Sequence, residues 1–69
     1  MKVISRKELI RKLRELGFEG PKKTGAHLFM HKGSMYMRMP GTEQPEISVG
    51  LQQALLHQLE IDIPVWELA

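Results

Sequence analysis

The chain contains no cysteine. That absence removes disulfide bonds, thiol nucleophiles, zinc knuckles and CxxC redox motifs together, and it fits a reducing cytoplasm. No apolar run approaches the roughly 20 residues that a transmembrane helix needs. The N-terminus, Met-Lys-Val-Ile-Ser-Arg-Lys-Glu, has no apolar h-region of the kind a signal peptide carries. Basic side chains are missing from the whole second half: positions 40–69 hold five acids and no Lys or Arg, a net −5. Positions 1–39 hold all ten bases and three acids, a net +7, so the total of +2 hides a strong split. A basic first half points to an anionic partner, either nucleic acid or a membrane surface. At 69 residues the chain is shorter than the roughly 100–200 typical of one domain. A single domain over 1–69 with one small core is expected, burying only about 60% of the unfolded surface. Such a domain has no room for a deep cleft, so any catalytic site lies on a surface and acts on a large substrate.

The first helix is announced by Ser5 and Glu8, which match the S-x-x-E capping box, with Ile4 and Leu9 at the staple positions around it. Leu9, Ile10, Leu13 and Leu16 recur at helical spacing. Gly17 stands where a left-handed residue ends a helix, and Phe18 can fold back on Leu13. Residues 19–25 suit a short edge strand or a loop. His27–His31 and Met35–Met39 read as two strands joined by the turn Lys32-Gly33-Ser34, and Pro40 ends the second. After a loop over 41–45, Ser48 caps a second helix whose apolar face is Leu51, Ala54, Leu55 and Leu59; Gln52, Gln53, His57 and Gln58 lie elsewhere around it. Pro64 closes that helix by Ile63, and 62–69 is a C-terminal tail beyond a 3–61 core. The strands are too close in sequence for parallel crossovers, so the fold class is α+β: a small antiparallel sheet with both helices on one face and the other face partly open.

The chemistry-bearing residues cluster in the basic half. Histidine, with a reference pKa of about 6.5, is the natural side chain for moving a proton on or off a hydroxyl, and His27 follows the small pair Gly25-Ala26 at the start of a strand. A solvent-facing strand histidine with no role is the competing reading. His31 lies four residues further on, about 13 Å along a strand, too far for the two rings to share a metal; no metal site and no cofactor are expected. Tyr36 and Arg38 alternate with Met35, Met37 and Met39, three side chains suited to filling irregular core gaps. Phe29 poses a conflict. If it faces the core, alternation turns His27 inward as well, and exposing His27 then needs a bulge. Lys22 and Lys23, with Arg11, Lys12 and Arg14, can cradle a phosphate backbone, although a solvated basic face has the same composition.

These segments together resemble a known family. The helix Ser5-Arg6-Lys7-Glu8-Leu9-Ile10 ending in Leu16-Gly17-Phe18 comes first, then Lys23-Thr24-Gly25-Ala26-His27-Leu28 and a hairpin closing at Met39-Pro40. Glu46-Ile47-Ser48-Val49-Gly50-Leu51 leads into Leu55-Leu56-His57-Gln58-Leu59-Glu60-Ile61. Over residues 3–61 the chain is similar to the HicA (YcfA-like) mRNA interferase toxins of bacterial toxin–antitoxin systems. The resemblance implies a double-stranded-RNA-binding-domain-like α-β-β-β-α fold with a three-stranded antiparallel sheet. It implies an endoribonuclease that cleaves mRNA without a metal, with His27 in the catalytic position, and a HicB-type antitoxin that masks the histidine. The RNA contacts expected alongside His27 are Lys22, Lys23, Gly25, Tyr36, Arg38 and Arg11. The chain departs from the family pattern at Ala26, which removes a hydroxyl, and at Gln52 and Gln53, which replace basic residues and predict weaker RNA contact on the second helix. A non-catalytic RNA-binding module and a protein-interaction domain are the alternative functions on the same scaffold.

Overall fold

The computed structural model describes residues 1–41 and 43–69, so position 42 of the expected 41–45 loop lies outside the described residues. The elements run β1 (Ile4–Ser5), α1 (Arg6–Glu15), β2 (Glu19–Thr24), β3 (His27–Lys32), β4 (Met35–Arg38), β5 (Glu46–Ile47), α2 (Val49–Leu59) and α3 (Ile63–Leu68). Strands β2, β3 and β4 form one antiparallel sheet in that order, and β1 pairs with β5 in a second, two-stranded ladder through Ile4–Ile47 and Ser5–Glu46. Among the described residues no helix is long and apolar enough to cross a membrane.

Helix α1 starts as its sequence dictates. The Glu8 amide donates to Ser5 Oγ at 3.0 Å, while the Glu8 carboxylate turns to Arg11 rather than back to the cap. At its end the Phe18 amide reaches Leu13 O at 2.9 Å and the Gly17 amide reaches Arg14 O at 3.0 Å, the paired bonds of a Schellman motif. Both hairpins of the main sheet close through two residues. Gly25-Ala26 joins the Thr24–His27 pair and Gly33-Ser34 joins the Lys32–Met35 pair. Each turn opens on a glycine at φ +61°, the left-handed first position that two-residue hairpins of the Gly-X kind require.

One core forms between the helices and one sheet face: Leu9, Leu13 and Phe18 from the α1 region, Met30, Met37 and Met39 from the sheet, Ile47, and Leu55, Leu56 and Leu59 from α2. Met37 and Met39 fill it as expected, whereas Met35 stays partly exposed at its edge. The small α+β fold with three antiparallel strands and both helices on one face is therefore the architecture observed. It is extended by the β1–β5 ladder and by a third helix.

That third helix corrects two expectations. Residues 62–69 do not trail beyond the core. Helix α2 ends at Leu59, where Glu60 takes a left-handed φ of +56°, so Pro64 does not terminate it. Pro64 instead sits in the first turn of α3, where its missing N–H costs nothing, and α3 brings Trp66 to 1% exposure inside the core. The buried face of α2 is likewise Gln52, Leu55, Leu56 and Leu59, and Ala54 is exposed. Gln52 is 1% exposed because every polar atom of its amide group has work inside. Its Oε1 accepts from Trp66 Nε1 at 3.1 Å, and its Nε2 donates to Lys2 O at 2.7 Å and Ile47 O at 3.1 Å. Gln52 is therefore a structural residue, buried away from any RNA-facing surface, whereas Gln53 is exposed.

A weaker tie joins the chain ends. The Met1 ammonium lies 2.8 Å from Glu67 Oε1. Its hydrogen bond holds the Glu67 carboxyl below the ordinary range against the opposing desolvation, with help from the charges of Met1, Lys12 and Lys2. A carboxyl depressed in the folded state stabilises above its unfolded value of about 4.3, and the contribution disappears as acid titrates it through its lower folded value. The carboxylate is solvent-exposed, so the effect is small. Glu67→Gln is expected to flatten the acid limb of the stability–pH curve slightly, read from urea midpoints across the acid range.

Candidate functional site

The register across the sheet decides which side chains meet. Strand β3 pairs with β4 as Phe29–Arg38, Met30–Met37 and His31–Tyr36, and with β2 as Lys22–Phe29, Lys23–Leu28 and Thr24–His27. Because successive side chains alternate in direction, Leu28 and Met30 face the helices and His27, Phe29 and His31 face away. The conflict over His27 disappears: Phe29 is on the open face, and no bulge is needed to expose the histidine beside it. The one irregularity of the sheet lies elsewhere, between Glu19 and Lys22 on the β2 edge.

The open face is thus a patch of rings rimmed by bases. His27 and Phe29 meet edge to face, with ring centroids 6.4 Å apart at 88°. His31 and Tyr36 stack at 5.1 Å and 20°. Across the middle row the order is Lys22, Phe29, Arg38, with neighbouring strands about 4.8 Å apart, so a cation stands on either side of one aromatic ring. Lys22, Thr24, Phe29, His31 and Tyr36 line a shallow depression there.

His27 also borders a second feature. It lines a groove with Arg6, Arg38, Pro40, Leu51 and Leu55, and Glu43 stands on its wall. Arg6 is fixed in this position by donating to Pro40 O, with a longer contact of 3.5 Å to Gly41 O. The imidazole therefore shares one groove with Arg6 from α1 and Arg38 from β4. Guanidinium groups in such an arrangement bind a phosphate or carboxylate through several donors, and the histidine beside them can exchange a proton with the bound group. Among the described residues no hydrogen bond holds the ring of His27 in one orientation.

The expected site residues separate into two groups. His27, Tyr36, Arg38 and Lys22 share the open face, and Gly25 forms the turn that sets His27 at the head of β3. Lys23 alternates to the helix side of the β2 edge. Arg11 is on the helix layer, engaged by Glu8 and by Ala69 O at 3.3 Å. Two further members of the proposed basic cradle are also committed elsewhere. Lys12 is 8% exposed, with Nζ donating to Trp66 O at 2.7 Å and lying 4.9 Å from the indole centroid; Arg14 Nε donates to Gly20 O at 2.9 Å. Lys12 stands on the apolar stripe of α1, where its stem can be buried and its charge meets a carbonyl and a π face.

Arg6, Phe29, His31 and Thr24 join the site beyond the residues expected in it, although the strand spacing already puts His31 and Phe29 on one face with His27. No local pattern marks Arg6, which meets the groove through a contact spanning 34 positions. The others follow from the two-residue turn that pairs Lys32 with Met35. His31 carries one unusual feature: its Nδ1 is enclosed and has no hydrogen-bond partner among the described residues. An enclosed polar atom without a partner costs about 1–3 kcal/mol. His31→Phe keeps a ring under Tyr36 and removes that atom. It is expected to raise the urea midpoint, and a lowered midpoint would show that solvent satisfies the nitrogen.

Comparison with protein-family models, with curated proteins and with solved structures finds no match to this chain.

Proposed function

We propose that the protein is an endoribonuclease of the HicA type, the toxin of a toxin–antitoxin pair, acting on mRNA in the cytoplasm. The observation that carries this reading is the common face: His27, Arg38 and Lys22 stand exposed together on one side of the sheet, with Arg6 entering beside His27. RNA supplies its own nucleophile, the 2′-hydroxyl next to each phosphodiester. His27 takes the 2′-hydroxyl proton as the oxygen attacks the adjacent phosphorus. The bond from phosphorus to the 5′-oxygen breaks, and that oxygen takes a proton from the imidazolium or from water. The products are a 2′,3′-cyclic phosphate and a 5′-hydroxyl. Arg38 and Arg6 face the non-bridging oxygens where negative charge accumulates. Lys22 holds a neighbouring phosphate through a salt-sensitive contact that carries no sequence information. An internal nucleophile and a single proton carrier make the step self-sufficient without a metal.

A HicB-type antitoxin is the proposed protein partner, covering His27 and the groove beside it. The acidic second half, which places Glu43 on the wall of that groove, keeps RNA off its remaining surface or meets basic groups of that partner. The test is expression in bacteria of the wild type and His27→Ala. Growth arrest from the wild type alone supports the catalytic reading; equal arrest from both would sink it.

The lack of a hydrogen bond to the His27 ring among the described residues also favours a second reading, an RNA-binding module without catalysis. No hydrogen bond among the described residues orients the imidazole for proton transfer, whereas the flanking cations do not need it. This reading predicts salt-dependent RNA binding that survives His27→Ala and leaves the RNA intact.

A further inference from the structure

The rings of the open face ask for something that the catalytic reading leaves unused. Proton transfer and phosphate binding need His27, Arg38, Arg6 and Lys22, yet the same face holds Phe29 and the stacked His31–Tyr36 pair. Tyr36 is 61% exposed, an unusual place for a large ring with apolar faces, and the ring of its cross-strand neighbour His31 stacks nearly parallel against it. The Tyr36 ring is therefore covered on one side by His31 and otherwise left largely open to solvent. Cations stand on both sides of Phe29 in the next row.

An aromatic surface interleaved with bases matches single-stranded nucleic acid, whose bases have free π faces and whose phosphates run alongside them. It does not match a duplex. In A-form RNA the bases are already stacked inside the helix, and recognition uses the 2′-hydroxyls and phosphates of a wide minor groove, where exposed rings have nothing to stack upon. Resting on the proposed ribonuclease reading, and deepening it to the form of the substrate, we infer that the open sheet face is a stacking platform for single-stranded RNA. One base lies on the His31–Tyr36 stack, and the adjoining phosphates lie against Lys22 and Arg38. His27 stands four positions along β3 from His31, about 13 Å away. The stacked base is thus one or more nucleotides removed from the cleaved bond. Tyr36 is a binding residue, distinct from the group that moves the proton.

The probe is a short 2′-O-methyl RNA, which lacks the nucleophilic hydroxyl and so reports binding without cleavage. Fluorescence anisotropy compares it as a single strand and annealed to its complement. The single strand is expected to bind at least about tenfold tighter than the duplex, in keeping with one base stacked on the protein. Tyr36→Ala is expected to weaken single-strand binding about 5- to 150-fold, and Tyr36→Phe to restore it, since only the ring is needed. Equal or tighter binding of the duplex, or an unchanged affinity in Tyr36→Ala, would overturn the platform. Wild type that cleaves RNA while Tyr36→Ala keeps full affinity refutes the platform and leaves the catalytic reading standing. Wild type that cleaves nothing, yet prefers the single strand through Tyr36, supports the platform and refutes the catalytic reading.

Discussion

His27→Ala is expected to slow RNA cleavage by about 10²- to 10⁴-fold, the range a positioned acid–base group supplies, while leaving the fold and the RNA affinity nearly unchanged. The separation follows from where the residue stands. His27 is exposed at the first position of β3 and contributes no buried area to the core. Its Thr24 pairing uses backbone groups that alanine retains. Binding rests on cations that the substitution does not touch, among them Arg38 and Lys22. Circular dichroism and a salt titration of binding are expected to match the wild type, and single-turnover cleavage is expected to fall. Arg38→Ala should behave differently. It removes a phosphate contact from both the ground state and the charged transition state, so binding weakens and the salt dependence of affinity becomes shallower.

Trp66→Ala is expected to unfold much of the protein at ambient temperature. Large aromatic-to-alanine changes in a core cost about 3–5 kcal/mol, and a chain of this size has about 3–10 kcal/mol in all at the usual stability per residue. The indole is 1% exposed and joins three parts of the chain. It donates to Gln52 on α2, its ring lies beside Lys12 Nζ of α1, and its carbonyl accepts from the same ammonium. Removing the ring leaves a cavity, an unpaired Gln52 oxygen and a buried cation with less around it. Trp66→Phe keeps most of the volume and forfeits the indole N–H, so an intermediate loss of about 1–3 kcal/mol is expected. Urea denaturation followed by circular dichroism checks both. A Trp66→Ala protein within about 1 kcal/mol of wild type would mean that α3 is not part of the core in solution, because that loss is far below the usual range for such a substitution.

The parts of the fold legible in the sequence were those governed by local rules. Ser5, the Leu9-to-Leu16 stripe and Gly17-Phe18 specify α1 from end to end, because caps and helical periodicity act over a few residues. The hairpin at Gly33-Ser34 was legible for the same reason. The phase of β3 was not, because Leu28, Phe29 and Met30 are all apolar and alternation has no polar beat to mark a face. The missing information was in the turn. A two-residue loop pairs Lys32 with Met35, and the clear alternation of Tyr36 and Arg38 against Met37 and Met39 then fixes β3 by register. That step turns Phe29, His27 and His31 outward and brings the site together. Other features depend on long-range contacts. Gln52 looks solvated on a helical wheel and is buried only because Trp66, Lys2 and Ile47 supply its partners. Lys12 looks like one more surface base until α3 covers it. Arg6 reaches the groove through Pro40, with which it shares no local pattern.

The most direct measurement of the central claim is the chemistry of the cut ends. Purified protein is incubated with a defined single-stranded RNA in the presence of a chelator, alongside a copy carrying one 2′-deoxynucleotide at the cleaved position. Cleavage of the all-ribose strand to a 2′,3′-cyclic phosphate and a 5′-hydroxyl, no cleavage at the deoxy position, and loss of activity in His27→Ala are the predicted results. Intact RNA, or 5′-phosphate ends appearing only when a divalent metal is added, would contradict the assignment of His27 as the proton carrier of a metal-independent ribonuclease.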